Sequence, residues 1–466
     1  MLRSSVEDPI RVAGLSDNFS IRNLAWRPPA KVGSLRTRLQ AAHLLTNPAV
    51  PRLFSPGAVD IADGRITWAG PSRDASPMEG EAQNFDGLLM PGLINTHAHT
   101  PMVLLRGAGE GLPVSTWLTD VMWPREGRLT ADDVRLAMLA GGAELLANGI
   151  TTSHEMYFHS EAVANAAAEL GLRAVVTPPL LVADDLASFG GWPEQLEATV
   201  EQADRWRDHE LISIGFGPHS AYAVPEKPLV RVVELAQKSG MHIQIHVAEG
   251  RQEGDALRER TGLSVPAYLD RLGMLDGQVL AAHGVWLSAE DIELFAARQT
   301  AVAHCPCSNS KHASGFAPVR ALRSAGVAVG LGTDGPASHD RIDLFEEMRM
   351  ALRLARLAAD DAGAMGPRDV LTMATVEGAR ALGRLDLGRL EAGCRADMIH
   401  LDVSPLYPVV EESDLLTHLV YLGSPALVKD VWIEGHQVVE NGYVLTIDVA
   451  QVRAEATARA RSLAGL

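Results

Sequence analysis

Residues able to bind a cation or move protons stand at the ends of short apolar runs in this chain. His97 and His99 close LMPGLINTHAH. Residues i and i+2 of a strand face the same side, so both imidazoles can reach one ion. His246 closes MHIQIH with Glu249 three residues on, His283 closes VLAAH, and Asp334 closes VAVGLGTD. Polar groups buried in such runs need partners. Three imidazoles and a carboxylate on one divalent ion would supply them. The competing reading is a set of unrelated strand-end residues, each satisfied locally; it explains one such residue easily and five poorly.

The elements that must position these residues follow from periodicity. Between Gly87 and Gly383 the apolar runs alternate with helix-like stretches such as ADDVRLAMLAGGAELLANG and EKPLVRVVELAQKSG. That alternation predicts βα units and a parallel sheet. Eight runs fit an α/β fold of the (β/α)8 TIM-like barrel kind, whose strand C-termini carry chemistry. An open doubly wound sheet is the alternative, but no Gly-rich phosphate loop follows the first strand. Strand-like segments flank this middle on both sides, with hairpin turns expected at Asp63-Gly64, Glu434-Gly435 and Asn441-Gly442. They predict a small β-sandwich domain assembled from both chain ends. The expected division is an irregular extension (1–35), a composite β-domain (36–86 and 388–446), the barrel (87–387) and a terminal helix (447–466).

Composition narrows the classes. Hydrophobic residues make up 47% and charged residues 21% of the 466, ordinary for a globular chain. A formal net charge of −17 argues against nucleic acid as partner. No run is long enough to predict a membrane span or a secretory signal. The only cysteines are Cys305, Cys307 and Cys394. These are too few for a disulfide framework, so plain thiols and a reducing compartment, the cytoplasm, are expected. A homo-oligomer is compatible with the sequence, which marks no self-complementary patch.

The motifs PGLINTHAH, HVAE, AAH, HCPCSNSKHASGFAPV and GTDGPAS together resemble the amidohydrolase superfamily, in its chlorohydrolase, guanine-deaminase and S-adenosylhomocysteine-deaminase branch. The resemblance is strong from about residue 87 to 354. It implies His97, His99, His246 and Asp334 as metal ligands, with Glu249 and His283 as the acid–base and polarising pair. His219, in GFGPHS, stands where two-metal relatives often carry a modified lysine, so one divalent metal is implied. Zinc is the expected ion, with Fe2+ or Mn2+ able to use the same donors. Zinc acidifies a bound water to a pKa of about 7. Asp334 would then take the water's proton, Glu249 would protonate a ring nitrogen, and His283 would stabilise the developing oxyanion.

The segment 97–129 is similar to deaminases of S-adenosylhomocysteine and 5′-methylthioadenosine. That similarity implies Glu126, in Pro124-Arg125-Glu126, as the holder of ribose hydroxyls. His219 would contact the ribose region, Trp117 and Met122 would line the nucleoside pocket, and Asn309 is a further candidate contact. A solvated helix-start carboxylate is the bland reading of Glu126. Homocysteine-binding relatives place arginines after the third and fourth strands. Here RAVVTPPLLVADDLASFGGWPEQL offers Pro178, Pro179 and Trp192, with no arginine beyond Arg173. The expected substrate is therefore a small-molecule purine nucleoside with a different 5′ group: methylthioadenosine, 5′-deoxyadenosine, adenosine or 6-amino-6-deoxyfutalosine. The alternatives are s-triazine hydrolysis, deamination of guanine or cytosine, and a non-catalytic scaffold. His154, His159 and His339 read as structural, His304 as packing behind the site or touching substrate, and His312 as loop.

Overall fold

The computed structural model describes residues 36–50, 52–78, 80–182, 190–406 and 412–465. The expected extension 1–35 lies outside them. The first strands are β1 (Thr37–Leu45), β2 (Leu53–Phe54), β3 (Gly57–Ala62), β4 (Arg65–Pro71) and β5 (Glu81–Pro91). After one intervening residue the chain enters β6 (Leu93–Ala98). Next come β7 (Ile150–Glu155), β8 (Arg173–Val176), β9 (Pro179–Leu180), β10 (Ile212–Ile214), β11 (Gly217–Pro218), β12 (Ile243–Val247), β13 (Val279–His283), β14 (Ala301–His304) and β15 (Val329–Leu331). The last are β16 (Met398–Leu401), β17 (Val428–Ile433), β18 (His436–Glu440) and β19 (Tyr443–Val444).

The eight apolar runs of the middle segment become eight parallel strands. They form two four-stranded sheets, β10-β8-β7-β6 and β12-β13-β14-β15. Single parallel bridges join the sheets at both edges, Ala98 to Asp334 and Phe216 to Ile243. Residues of β6, β7, β8 and β12 to β15 are buried without alternation, as expected of parallel strands covered on both faces. Helices pack outside, among them Ala131–Ala147, opened by a capping box between Thr130 and Asp133. Asp133 also receives Arg459 of the terminal helix Val449–Ala464, at 2.5 and 2.8 Å. That contact ties the end of the chain down.

The flanking strands form one nine-stranded sheet in the order β19-β18-β17-β16-β5-β1-β3-β4, with β2 beside β1. Both chain ends contribute, through the β5–β16 antiparallel pair. All three expected hairpin turns are present, each with positive φ at both loop residues (51° and 74°, 52° and 72°, 50° and 82°). That is the type I′ geometry matching strand twist. Leu39, Val59, Ile66, Leu89, Met398 and Trp432 form this sheet's own apolar cluster.

Arg173, at the start of β8, joins the sheets. It is fully buried. Its Nε and Nη2 donate to Asp397 at 2.7 and 3.0 Å, Nη2 also donates to Glu434, and Nη1 donates to the Glu210 carbonyl at 2.9 Å. This is the opposite end of the strand from the chemistry, so Arg173 is not available to a substrate carboxylate.

Candidate active site

His97 and His99 leave the end of β6, His246 lies in β12, His283 ends β13, and Asp334 follows β15. The Asp334 N–H donates to the His97 carbonyl at 3.0 Å, locking the two segments in register. His283 (φ 72°), Asp334 (φ 56°) and Ala248 (φ 51°) are non-glycine residues in the left-handed region. Such conformations cost on the order of 1–3 kcal/mol each and cluster where function requires them.

The imidazoles are held in one tautomer from behind. His97 Nδ1 meets Gln244 Oε1 at 2.5 Å, His99 Nδ1 the Met156 carbonyl at 2.5 Å, and His246 Nδ1 the His219 carbonyl at 2.7 Å. Gln244 is itself fixed by donating to Thr177 at 2.7 Å. Each acceptor demands Nδ1–H, which leaves each Nε2 with a bare lone pair. The Nε2 atoms of His99 and His246 are 3.3 Å apart, and those of His97 and His99 stand 3.5 and 3.3 Å from Asp334 Oδ1. His97 Nε2 is buried without any hydrogen bond. Lone pairs so close repel unless a cation lies between them. Donors at about 2.0–2.1 Å on a tetrahedral ion are about 3.3–3.4 Å apart. The donor set therefore fits a divalent metal.

Charge follows the same plan. Burial, and then the other imidazoles, push His99 down to about 4, His219 down to about 3, and His246 well below the usual histidine range. Burial alone would raise Asp334, but His97, His283 and His99 hold it well below the carboxylate range. Neutral imidazoles and an ionised carboxylate are what a metal needs. His283 goes the other way: burial opposes its charge, yet Glu249, Asp334 and the Asn309 side chain raise it. Its Nε2 is 3.9 Å from Glu249 Oε2, and its Nδ1 meets Asn309 Oδ1 at 2.9 Å. The other oxygen of Asp334 accepts from Ser308 at 2.6 Å and Ser338 at 2.8 Å. Only Oδ1 is left for the cluster.

The cluster faces a cavity whose walls include Trp117, Trp123, Glu126, Tyr157, Phe158 and His219. Glu126 is 2% exposed. Burial pushes its carboxyl up to about 7, with the Tyr157 hydroxyl opposing in part. Met122 is fully buried and not on this wall, and Asn309 lies behind His283. His312 caps the helix Pro306–Lys311 and lines the cavity, its ring 4.9 Å from Trp117. Sequence reasoning missed Trp123, Tyr157, Phe158, Gln244, Ser308 and Ser338. Gln244 alone carried a readable signal, two residues before His246 and on the same strand face.

A second chamber of about 290 Å³ adjoins the first and shares Tyr157, Phe158 and Pro179. Pro178, Leu180, Phe216, Gln195 and Gln202 line it. Among the described residues, the one Lys or Arg lining it is Arg205, which is half-exposed and pairs with Glu161 at 2.9 Å.

Residues 88–438 match the profile described as Amidohydrolase family. The chain belongs to the amidohydrolase family. A 5-methylthioadenosine/S-adenosylhomocysteine deaminase of Pelotomaculum thermopropionicum is 37% identical over 430 residues, covering 91% of this chain and 98% of that protein. A 5′-deoxyadenosine deaminase of Methanothermobacter thermautotrophicus is 36% identical over 412 residues, covering 88% and 95%. Among solved structures, an adenosine deaminase from Xanthomonas campestris with bound zinc superposes with a TM-score of 0.87 at 33% identity, covering 93% of this chain and 99% of that one. An atrazine chlorohydrolase from Arthrobacter aurescens shares the fold, with a TM-score of 0.83 at 24% identity, covering 91% and 100%. No helix among the described residues is long and apolar enough to cross a membrane.

Proposed function

We propose that this amidohydrolase removes the 6-amino group of adenine nucleosides whose 5′ position carries an uncharged substituent. The carrying observation is the buried carboxylate of Glu126 on the wall of the cavity that holds the imidazole cluster. A carboxylate so buried needs hydrogen-bond donors, and the two adjacent hydroxyls of a ribose diol match its two oxygens. His219 and Trp117 flank the same space, Met122 supports the wall from behind, and Asn309 acts through His283. The relatives named above support the reading, since their names describe adenine-nucleoside deamination.

His97, His99, His246 and Asp334 would hold one divalent ion, zinc by donor type, which supplies Lewis acidity where their donor atoms converge. Asp334 Oδ1 accepts the proton of the attacking water. Glu249 donates a proton to the ring nitrogen beside C6, and the raised charge of His283 stabilises the oxygen that becomes negative. Water adds to C6 to give a tetrahedral adduct; as it collapses the C6–N6 bond breaks, Asp334 returns its proton to the departing nitrogen, the C6 hydroxyl gives its proton back to Glu249, and ammonia leaves a C6 carbonyl. The second chamber accepts the 5′ group. Its lining suits methylthioadenosine, 5′-deoxyadenosine or adenosine, because a homocysteine carboxylate, like the benzoate of aminofutalosine, would meet no unpaired arginine among the described residues there.

In the same reading the two parallel sheets close into one eight-stranded barrel (87–387) through the Ala98–Asp334 and Phe216–Ile243 bridges. The nine-stranded sheet (36–86 and 388–446) folds over its apolar cluster as a small sandwich, and 447–466 is the terminal helix. The three buried free cysteines fit the cytoplasm.

Ammonia release from methylthioadenosine, 5′-deoxyadenosine, adenosine, S-adenosylhomocysteine, guanine, cytosine and a chlorotriazine tests the reading, with Glu249→Gln as control. Turnover of the small 5′-modified adenosines, weak turnover of the homocysteine conjugate and silence of the control are expected. Consumption of a free base or triazine with every nucleoside inert would overturn it.

A further inference from the structure

Behind Asp334, and outside the cavity, a second group of donor atoms converges. Cys307, His339 and Glu347 each offer one ligand atom, all within 4.8 Å of one another and all buried. Cys307 is 7% exposed, His339 8% and Glu347 0%. The Glu347 Oε2 atom accepts from the Cys307 N–H at 3.1 Å, which leaves Oε1 over. That atom forms an ion pair with His339 Nδ1 at 2.9 Å, and His339 Nε2 stands 3.7 Å from Glu346 Oε2, in both cases without hydrogen-bond alignment. The contact is close but not directed along the N–H, unlike an ordinary imidazole–carboxylate pair. Asp343, one helical turn before Glu347 and 2% exposed, also keeps Oδ2 without a hydrogen bond. Asp343 Oδ2 has only Arg341 at 3.6 Å, so these buried atoms hold ion-pair contacts without directed hydrogen bonds, which calls for an explanation.

We infer that Cys307, His339 and Glu347 form a second binding site for a zinc-type divalent cation, separate from the His97, His99, His246 and Asp334 cluster. A thiolate, an imidazole and a carboxylate converging in a dry pocket form a borderline-soft donor set that zinc accepts and magnesium or calcium does not. On binding, the thiol proton leaves to solvent and a metal–sulfur bond replaces the S–H bond, with no change of oxidation state. The site also has a mechanical meaning. Cys307 immediately precedes Ser308, and His339 immediately follows Ser338. These serines are the two hydroxyls that hold Asp334 Oδ2. A cation here would staple the helix Pro306–Lys311 to the turn at Ser338, the two segments that fix the catalytic carboxylate. The inference does not depend on which reaction the cavity performs.

Cobalt titration of the metal-free full-length chain tests it, because the first cluster contains only nitrogen and oxygen donors. Two equivalents should bind, and one should bring a near-ultraviolet thiolate-to-cobalt absorption. Cys307→Ser should lose that absorption and one equivalent, while His97→Ala/His99→Ala should keep the absorption and lose the other. His339→Asn, with far-ultraviolet circular dichroism to confirm folding, should also bind only one equivalent. A wild-type chain that binds a single equivalent without the absorption would overturn the site. So would an absorption that survives Cys307→Ser, since the thiolate would then be Cys305 or Cys394.

Discussion

Replacing Glu126 with glutamine should stabilise the protein while damaging its use of nucleosides. In the folded chain burial raises the Glu126 carboxyl from an ordinary 4.5 to about 7. The folded state therefore holds this proton more tightly than the unfolded one. The associated stability is fully present below about pH 4.5, drains away as pH rises through 7, and is gone by about pH 8. At about 1.4 kcal/mol per pKa unit, the ionised carboxylate costs on the order of 3 kcal/mol at pH 8. Glutamine keeps the neutral shape at every pH. Urea unfolding of both proteins, metal-loaded and followed by tryptophan fluorescence, isolates this group because all other titrations are common to the pair. The curves should coincide near pH 5, and the glutamine variant should be more stable by about 2–3 kcal/mol at pH 8. The same substitution removes a charged acceptor worth about 1.5–3 kcal/mol to a ribose hydroxyl. Its kcat/KM for adenine nucleosides should fall about 10- to 100-fold, with a 2′,3′-dideoxy analogue equally poor in both proteins. Parallel stability curves across pH would refute the buried-carboxylate argument. An unchanged preference for the diol would refute the ribose assignment.

Arg173→Leu should destabilise the chain by about 3–5 kcal/mol in urea, because Asp397 and Glu434 are left buried and uncompensated; adding Asp397→Asn and Glu434→Gln should recover much of the loss. Asn309→Ala should lower kcat about 10- to 100-fold with metal content unchanged, since it frees the His283 ring without touching the metal donors; a loss of metal would contradict that role. Removing metal with a chelator should lower the thermal midpoint and abolish turnover, and zinc should restore both; an unaffected midpoint would mean that the imidazole cluster needs no cation.

What could be read from the chain was whatever repeats at a fixed period or sits at a fixed offset. The eight apolar runs, the three I′ turns and the strand-end His97, His99, His246, His283 and Asp334 are all of that kind. Residues set by long-range packing were invisible. Ser308 and Ser338 meet at Asp334 only because a short helix and a turn converge, and Tyr157 reaches Glu126 across two elements. His312 read as loop because its contact with Trp117 spans nearly two hundred positions. Arg173 was read as the last arginine near a substrate tail; its partners Asp397 and Glu434 lie so far along the chain that no local pattern links them.

The distance along the chain between Arg173 and its partners also gives the protein an order of assembly. During synthesis the third barrel strand emerges carrying a guanidinium that must end up dry, while the carboxylates that neutralise it are still untranslated. Arg173 cannot meet Glu434 until residue 434 has left the ribosome, although every proposed catalytic group is already present a hundred residues earlier. A chain released at residue 390 should thus carry a complete list of site residues and still be digested rapidly by protease. Such a result would tie maturation of the proposed site to the arrival of the C-terminal strands, with one buried positive charge waiting for its counterions.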